Sequence, residues 1–144
     1  MALQPQPAAA AQHAQAIAAF AAAYNNGMAA LHAEAQQINQ RMMALAASAG
    51  PNGFTPQQMT ESDVLLAARK KINRTISEYA MVHNIVLNES ASVANLIGAV
   101  AGINAGLKAE LDHLNGIVKV VANVNGLIQT LTSLLTALAA LAAL

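Results

Sequence analysis

The sequence predicts an all-α protein, an elongated helical hairpin or bundle of three to four helices with heptad, coiled-coil-like packing. Three observations carry that prediction. Alanine, the strongest helix former, dominates an apolar content of 56%. Apolar residues recur every seven positions through most of the chain. No segment alternates with period two for long, and turn signals are too sparse for a sheet.

Taken in order, residues 1–7 contain Pro5 and Pro7 and read as a short disordered lead. From Ala8 to Ser48 there is no proline and a single glycine, Gly27. Ile17, Tyr24, Leu31, Ile38 and Leu45 recur every seven residues, with Phe20, Met28, Ala35 and Met42 on the intervening turns. This is a seam on one long helix, and the alanines flanking it suit close packing against a neighbour. The run Ala49-Gly50-Pro51-Asn52-Gly53 stops the helix, because glycine suits a C-terminal cap and proline cannot continue it. A break over 49–55 is therefore expected. Thr55-Pro56 restarts the chain as a cap followed by a first-turn proline, with Thr60 to Asp63 as a second candidate start.

From there a longer seam runs through Leu65, Ile72, Tyr79, Val86, Val93, Val100, Leu107, Leu114, Val121, Ile128 and Leu135. Val82, Leu96, Ile103, Ile117, Val124, Leu131 and Leu138 fit the intervening positions, whereas Thr75, Glu89 and Glu110 do not. Several helical pieces sharing one phase explain those gaps as well as a single rod does. Breaks are expected near 88–90, where Ser90 or Ser92 could cap a new start, and near 115–116, where Asn115-Gly116 could turn left-handed. The expected helices span 8–48, 56–114 with that interruption, and 117–143. Residues 8–144 are expected to form one domain.

Only 10% of the residues are charged, against about 25% in an average protein. So little charge implies that apolar surface is covered by a partner, whether another copy, another protein or lipid. The absence of cysteine excludes disulfides, and a formal net charge of zero gives little attraction for nucleic acid. The N-terminal stretch lacks the basic region and compact apolar core of a secretory signal. Cytoplasmic synthesis, with any export by a non-classical route, is the expectation.

Two stretches are free of charge. Residues 120–144 approach the roughly 20 apolar residues that a spanning helix needs, although Asn123, Asn125 and Gln129 place amides near one end. Ser90 to Leu107 holds Gly98, Gly102 and Gly106, a GxxxGxxxG row whose missing Cβ atoms let another helix come close. The row drifts off the apolar seam and offers a second contact face. A polar tip from Lys108 to Lys119 joins the two stretches. That is the shape of a membrane-inserting hairpin and equally of an αα-hairpin within a bundle.

No reactive constellation emerges. Glu110 and His113 make one Glu-x-x-His spacing, but a di-metal bundle needs two copies and two further carboxylates. His13, His32, His83 and His113 are too scattered to join into a metal site by spacing. The same histidines would be the seat of any pH response, since histidine titrates near neutrality. Arg69, Lys70, Lys71 and Arg74 read as a solvated basic face, open to phosphate or anionic lipid but too thin for nucleic acid. The expectation is a non-enzymatic structural protein without cofactor, metal or small-molecule substrate. It would self-assemble through the seam residues and the glycine row into a filament, tube or sheet. The alternative is a membrane-inserting or pore-forming subunit that uses the 90–107 and 120–144 helices, with lipid as the partner.

Overall fold

The computed structural model describes residues 7–88 and 93–144. Four helices pack into one all-α bundle: α1 (Pro7–Ala47), α2 (Pro56–Asn88), α3 (Val93–Ile117) and α4 (Val124–Ala142). Each helix packs against its neighbours in the chain, and α4 closes the ring against α1. The register is antiparallel at each step. Phe20 stacks on His83 near one end of the α1–α2 pair, and Arg41 meets Glu61 near the other. Tyr79 reaches Asn104, and Gly27 lies beneath Leu131. At a rise of about 1.5 Å per residue, the 41 residues of α1 form a rod of roughly 60 Å.

The helix ends follow from local chemistry. Ala47 closes α1, and Gly53 N–H then donates to Gly50 O at 3.0 Å, with Pro51 and Asn52 inside the turn. Gly53 has φ +85°, a left-handed conformation that costs glycine little. Thr55, not Thr60, starts α2. Its hydroxyl accepts from Gln58 N–H at 3.2 Å, and the Gln58 side chain accepts from Thr55 N–H at 2.9 Å. This reciprocal capping box satisfies two amides that the helix cannot satisfy itself.

The 56–114 segment is two helices, since α2 ends at Asn88 and α3 begins at Val93. Glu89, Ser90 and Ser92, on which the capping expectation rested, lie outside the described residues, as do residues 1–6 of the expected lead. Pro7 already belongs to α1. The last helix starts at Val124, seven residues later than expected. Asn115-Gly116 does not turn left-handed; α3 continues through it to Ile117. Asn115 instead organises the loop that follows, because its Oδ1 accepts from Val120 N–H and Val121 N–H, both at 3.1 Å. Its Nδ2 donates back to Val121 O at 2.9 Å. Asn123 caps α4 by accepting from Gly126 N–H at 2.8 Å.

The core runs the length of the bundle. On α2 it takes Leu65, Ala68, Ile72, Thr75, Tyr79, Val82 and Val86, with alternating steps of three and four. On α3 it takes Val93, Leu96, Val100, Asn104, Leu107, Leu111 and Leu114. Leu111 therefore points inward where a strict repeat placed Glu110. On α4 the inward residues are Val124, Leu127, Leu131, Leu134, Leu138 and Leu141, while Ile128 and Leu135 sit half-buried at the shoulder. The large apolar residues are mostly consumed within the chain. Among the described residues only Met43, Met59, Met81, Leu87, Ile117 and Leu144 are exposed large hydrophobics. The low charge is met instead by a surface of Ala, Gly, Asn, Gln and Thr.

Candidate functional site

The seam residues and the glycine row have different fates. Leu65, Ile72, Tyr79, Val86, Val93, Val100, Leu107, Leu114 and Val121 are all buried in the chain's own core. Gly98 and Gly102 face outward, with nothing within 4 Å of where a Cβ would stand. Gly106 is half-buried and accommodates Lys71, whose Nζ lies 3.2 Å from the virtual Cβ. The row is thus not one uniform surface: its first two members are open and its third seats a lysine from α2.

Gly98 and Gly102 belong to a wider outer face of α3. Ala94, Asn95, Ala99, Ala101 and Ala105 are exposed beside them. No charged side chain interrupts this face before Lys108. Among the described residues the same holds for the helices at that end of the bundle. Residues 7–33 of α1, 79–88 of α2, 93–107 of α3 and all of α4 contain no Asp, Glu, Lys or Arg. The antiparallel register gathers the charge-free parts of all four helices together. His13 and Ile17 of α1, Val86 and Leu87 of α2, Val93 of α3 and Leu141 of α4 line a common cavity of about 290 Å³ there. Among the described residues, charged side chains are confined to the opposite half, where Arg41 pairs with Glu61 at 3.5 Å, Arg74 with Glu78 at 2.8 Å and Lys108 with Asp112 at 2.7 Å.

No protein-family model matches this sequence, and no curated protein or solved structure matches it at a significant level.

Three polar features of the interior were not legible in the seam. The Tyr79 hydroxyl donates to Asn104 Oδ1, and both residues are buried. Burial, reinforced by the adjacent Glu78 charge, pushes the Tyr79 phenol far above its ordinary range, so it stays a protonated donor. Thr75, a misfit in the sequence pattern, is 1% exposed, and its hydroxyl donates to Lys71 O at 2.8 Å. The third feature is Glu34 of α1. Its Oε2 is buried without a hydrogen-bond partner, and desolvation raises its pKa above the usual 4.5.

The histidines stay apart. His83 stacks on Tyr24, with ring centroids 4.2 Å apart, and on Phe20 at 5.9 Å. His13 lines the end cavity, and His32 and His113 are exposed. Among the described residues no three His, Cys, Asp or Glu side chains gather as metal ligands. Glu110 lies in the α2–α3 groove, while Asp112 is committed to Lys108.

Proposed function

We propose that this chain is a non-enzymatic structural subunit that assembles with copies of itself through the charge-free end of its bundle, centred on the outer face of α3. The observation that carries the reading is the uncovered Gly98–Gly102 surface with its alanine surround. Small residues at this spacing let two helix backbones approach closely, which rewards a second helix more than it rewards water. Gly98 and Gly102 each cost about 1 kcal/mol of helix stability relative to alanine, a cost that close contact with a second helix would offset. Uncharged exposed side chains lower the cost of bringing two such faces together, because no ion must be desolvated. Where the contact is heterologous and does not close, the product is a filament, tube or sheet.

One observation favours a second reading, insertion of the same end into a membrane. Helix α4 is long and apolar enough to cross a bilayer by length and composition. Insertion would require the bundle to open and turn its core leucines towards lipid. Light scattering and negative-stain microscopy, with and without liposomes, separate the two. Ordered assemblies without lipid support the first reading. A small soluble species that oligomerises only on liposomes and makes them leak supports the second. A lipid-indifferent monomer at high concentration refutes both. Gly102→Leu should abolish assembly while leaving the helical content and unfolding midpoint of the subunit nearly unchanged; assembly at wild-type strength would remove the glycine face from the mechanism.

A further inference from the structure

We infer that the groove between α2 and α3, at the charged half of the bundle, is an oxyanion site for a phosphate-bearing ligand. Ala67, Lys70, Lys71 and Arg74 of α2 and Glu110 of α3 line this groove, which has a volume of about 290 Å³. Arg69 is a neighbour in sequence only; it lines a different groove, with Asn39, Met42 and Met43 of α1. The basic run is therefore split by the helix, and three of its four cations border one shallow, open groove.

Those three are available in different degrees. Lys70 and Lys71 form no ion pair among the described residues. Arg74 uses Nε to bind Glu78 at 2.8 Å. That bond orients the guanidinium and leaves its two terminal nitrogens without a hydrogen-bond partner among the described residues. Glu110 shares the groove but lies more than 4 Å from every cation, since it forms no salt bridge. With Glu78 and Glu110 both counted against the three cations, positive charge remains in excess.

Gly106 gives the groove its shape. The Lys71 ammonium and its adjoining carbon lie 3.2 and 3.4 Å from the Cβ that glycine lacks, so the side chain rests against α3 where a larger residue would push it outward. The arrangement suits a ligand with several anionic oxygens close together, because each lysine presents a point charge and arginine can bind two oxygens at once. A pyrophosphate or a phosphomonoester has that chemistry, whether free in solution or on a lipid headgroup.

The test is calorimetric titration of the full chain with inorganic pyrophosphate at low ionic strength. A parallel arm measures co-sedimentation with phosphatidylcholine vesicles prepared with and without phosphatidic acid. Saturable pyrophosphate binding assigns the site to soluble phosphate, and binding only to phosphatidic acid vesicles assigns it to a headgroup. In either arm the double variant Lys70→Met/Lys71→Met should weaken binding about tenfold or more, as expected for the loss of charge-assisted hydrogen bonds. Glu110→Gln should strengthen it several-fold by removing the opposing charge. Lys119→Met, an exposed loop lysine away from the groove, should leave it unchanged. Circular dichroism verifies that each variant is folded. Absence of binding in both arms overturns the inference, as does equal weakening by Lys119→Met, which would mean net charge alone governs attraction.

Discussion

Tyr79 and Asn104 form a polar pair inside an otherwise apolar core, and their energetics differ from those of the leucines around them. Tyr79→Phe removes the donor and leaves the Asn104 carbonyl oxygen buried without a partner. A stranded buried acceptor costs about 1–3 kcal/mol, whereas removing both partners together can be nearly neutral. Urea unfolding should therefore show that Tyr79→Phe is destabilised by that amount and that adding Asn104→Leu recovers much of the loss. A further loss in the double variant would contradict the pairing. Glu34 gives a prediction of opposite sign. Its folded-state pKa is raised, so the folded protein holds the proton more tightly than the unfolded chain. The contribution of Glu34 to stability is then fully present below the unfolded value of about 4.5 and is lost as pH rises through the folded value. Glu34→Gln keeps the shape without the buried charge. Its melting temperature should exceed that of the parent at neutral pH, and the difference should shrink in acid. An equal gap at every pH would show that the carboxylate charge is irrelevant. Neither feature was legible in the sequence: a glutamate on a long helix reads as a surface residue, and Asn104 is inward only because of how α3 turns.

At the scale of the helix, the difference between expectation and structure comes from the period. A seven-residue template enforces 3.5 residues per turn, but a straight helix has 3.6 and drifts about 20° per heptad. On α2 the seam residues Leu65, Ile72, Tyr79 and Val86 are all buried, and Thr75 keeps its inward place because its hydroxyl is satisfied within the helix. On α3 the drift moves the second row from Ile103, Glu110 and Ile117 to Asn104, Leu111 and Val118. The misfit Glu110 is thereby explained, since it never faced the core. On α4 the phase is set by the 118–123 loop, which the sequence did not place, so Ile128 and Leu135 fall to the shoulder. On α1, Leu31, Ile38 and Leu45 are buried with Phe20 and Ala35, whereas Ile17, Tyr24, Met28 and Met42 are only half-buried, and Gly27 was not marked as a contact. Leu131 Cδ2 lies 3.2 Å from the Cβ that Gly27 lacks, at the α1–α4 interface. Gly27→Leu should overpack this contact and cost about 1–3 kcal/mol despite a better helix propensity. Leu131→Ala in the same chain should return part of that loss. A double-mutant cycle with purely additive effects would mean that the two residues do not meet.

For the whole molecule, the decisive feature is where charge lies. The composition was legible as too poor in charge for an ordinary surface, and the fold shows how the few charges are distributed. All four helices pass through the charge-free end, yet they do so in alternating directions. Uncharged stretches that are far apart in sequence are brought together only by the up-down-up-down register. The two halves of the bundle consequently face water on different terms. Among the described residues the charged half carries ion pairs and unpaired lysines, which keep it hydrated, while the other half presents alanine, glycine and amides. An added carboxylate should then have opposite consequences at the two ends. Ala94→Glu with Ala101→Glu puts two acids on the outer face of α3, both at exposed positions. Glutamate is a good helix former, so the fold should persist, but each copy would have to desolvate or oppose like charges on assembly. Asn73→Glu puts the same residue type at an exposed position of α2 in the charged half. Light scattering across a concentration series should show the α3 double variant as a monomer where the parent and Asn73→Glu associate. High salt should partly restore its association by screening the repulsion. If Asn73→Glu dissociates the assembly as fully as the α3 pair does, the contact does not lie at the charge-free end, and the polarity of the bundle has no part in assembly.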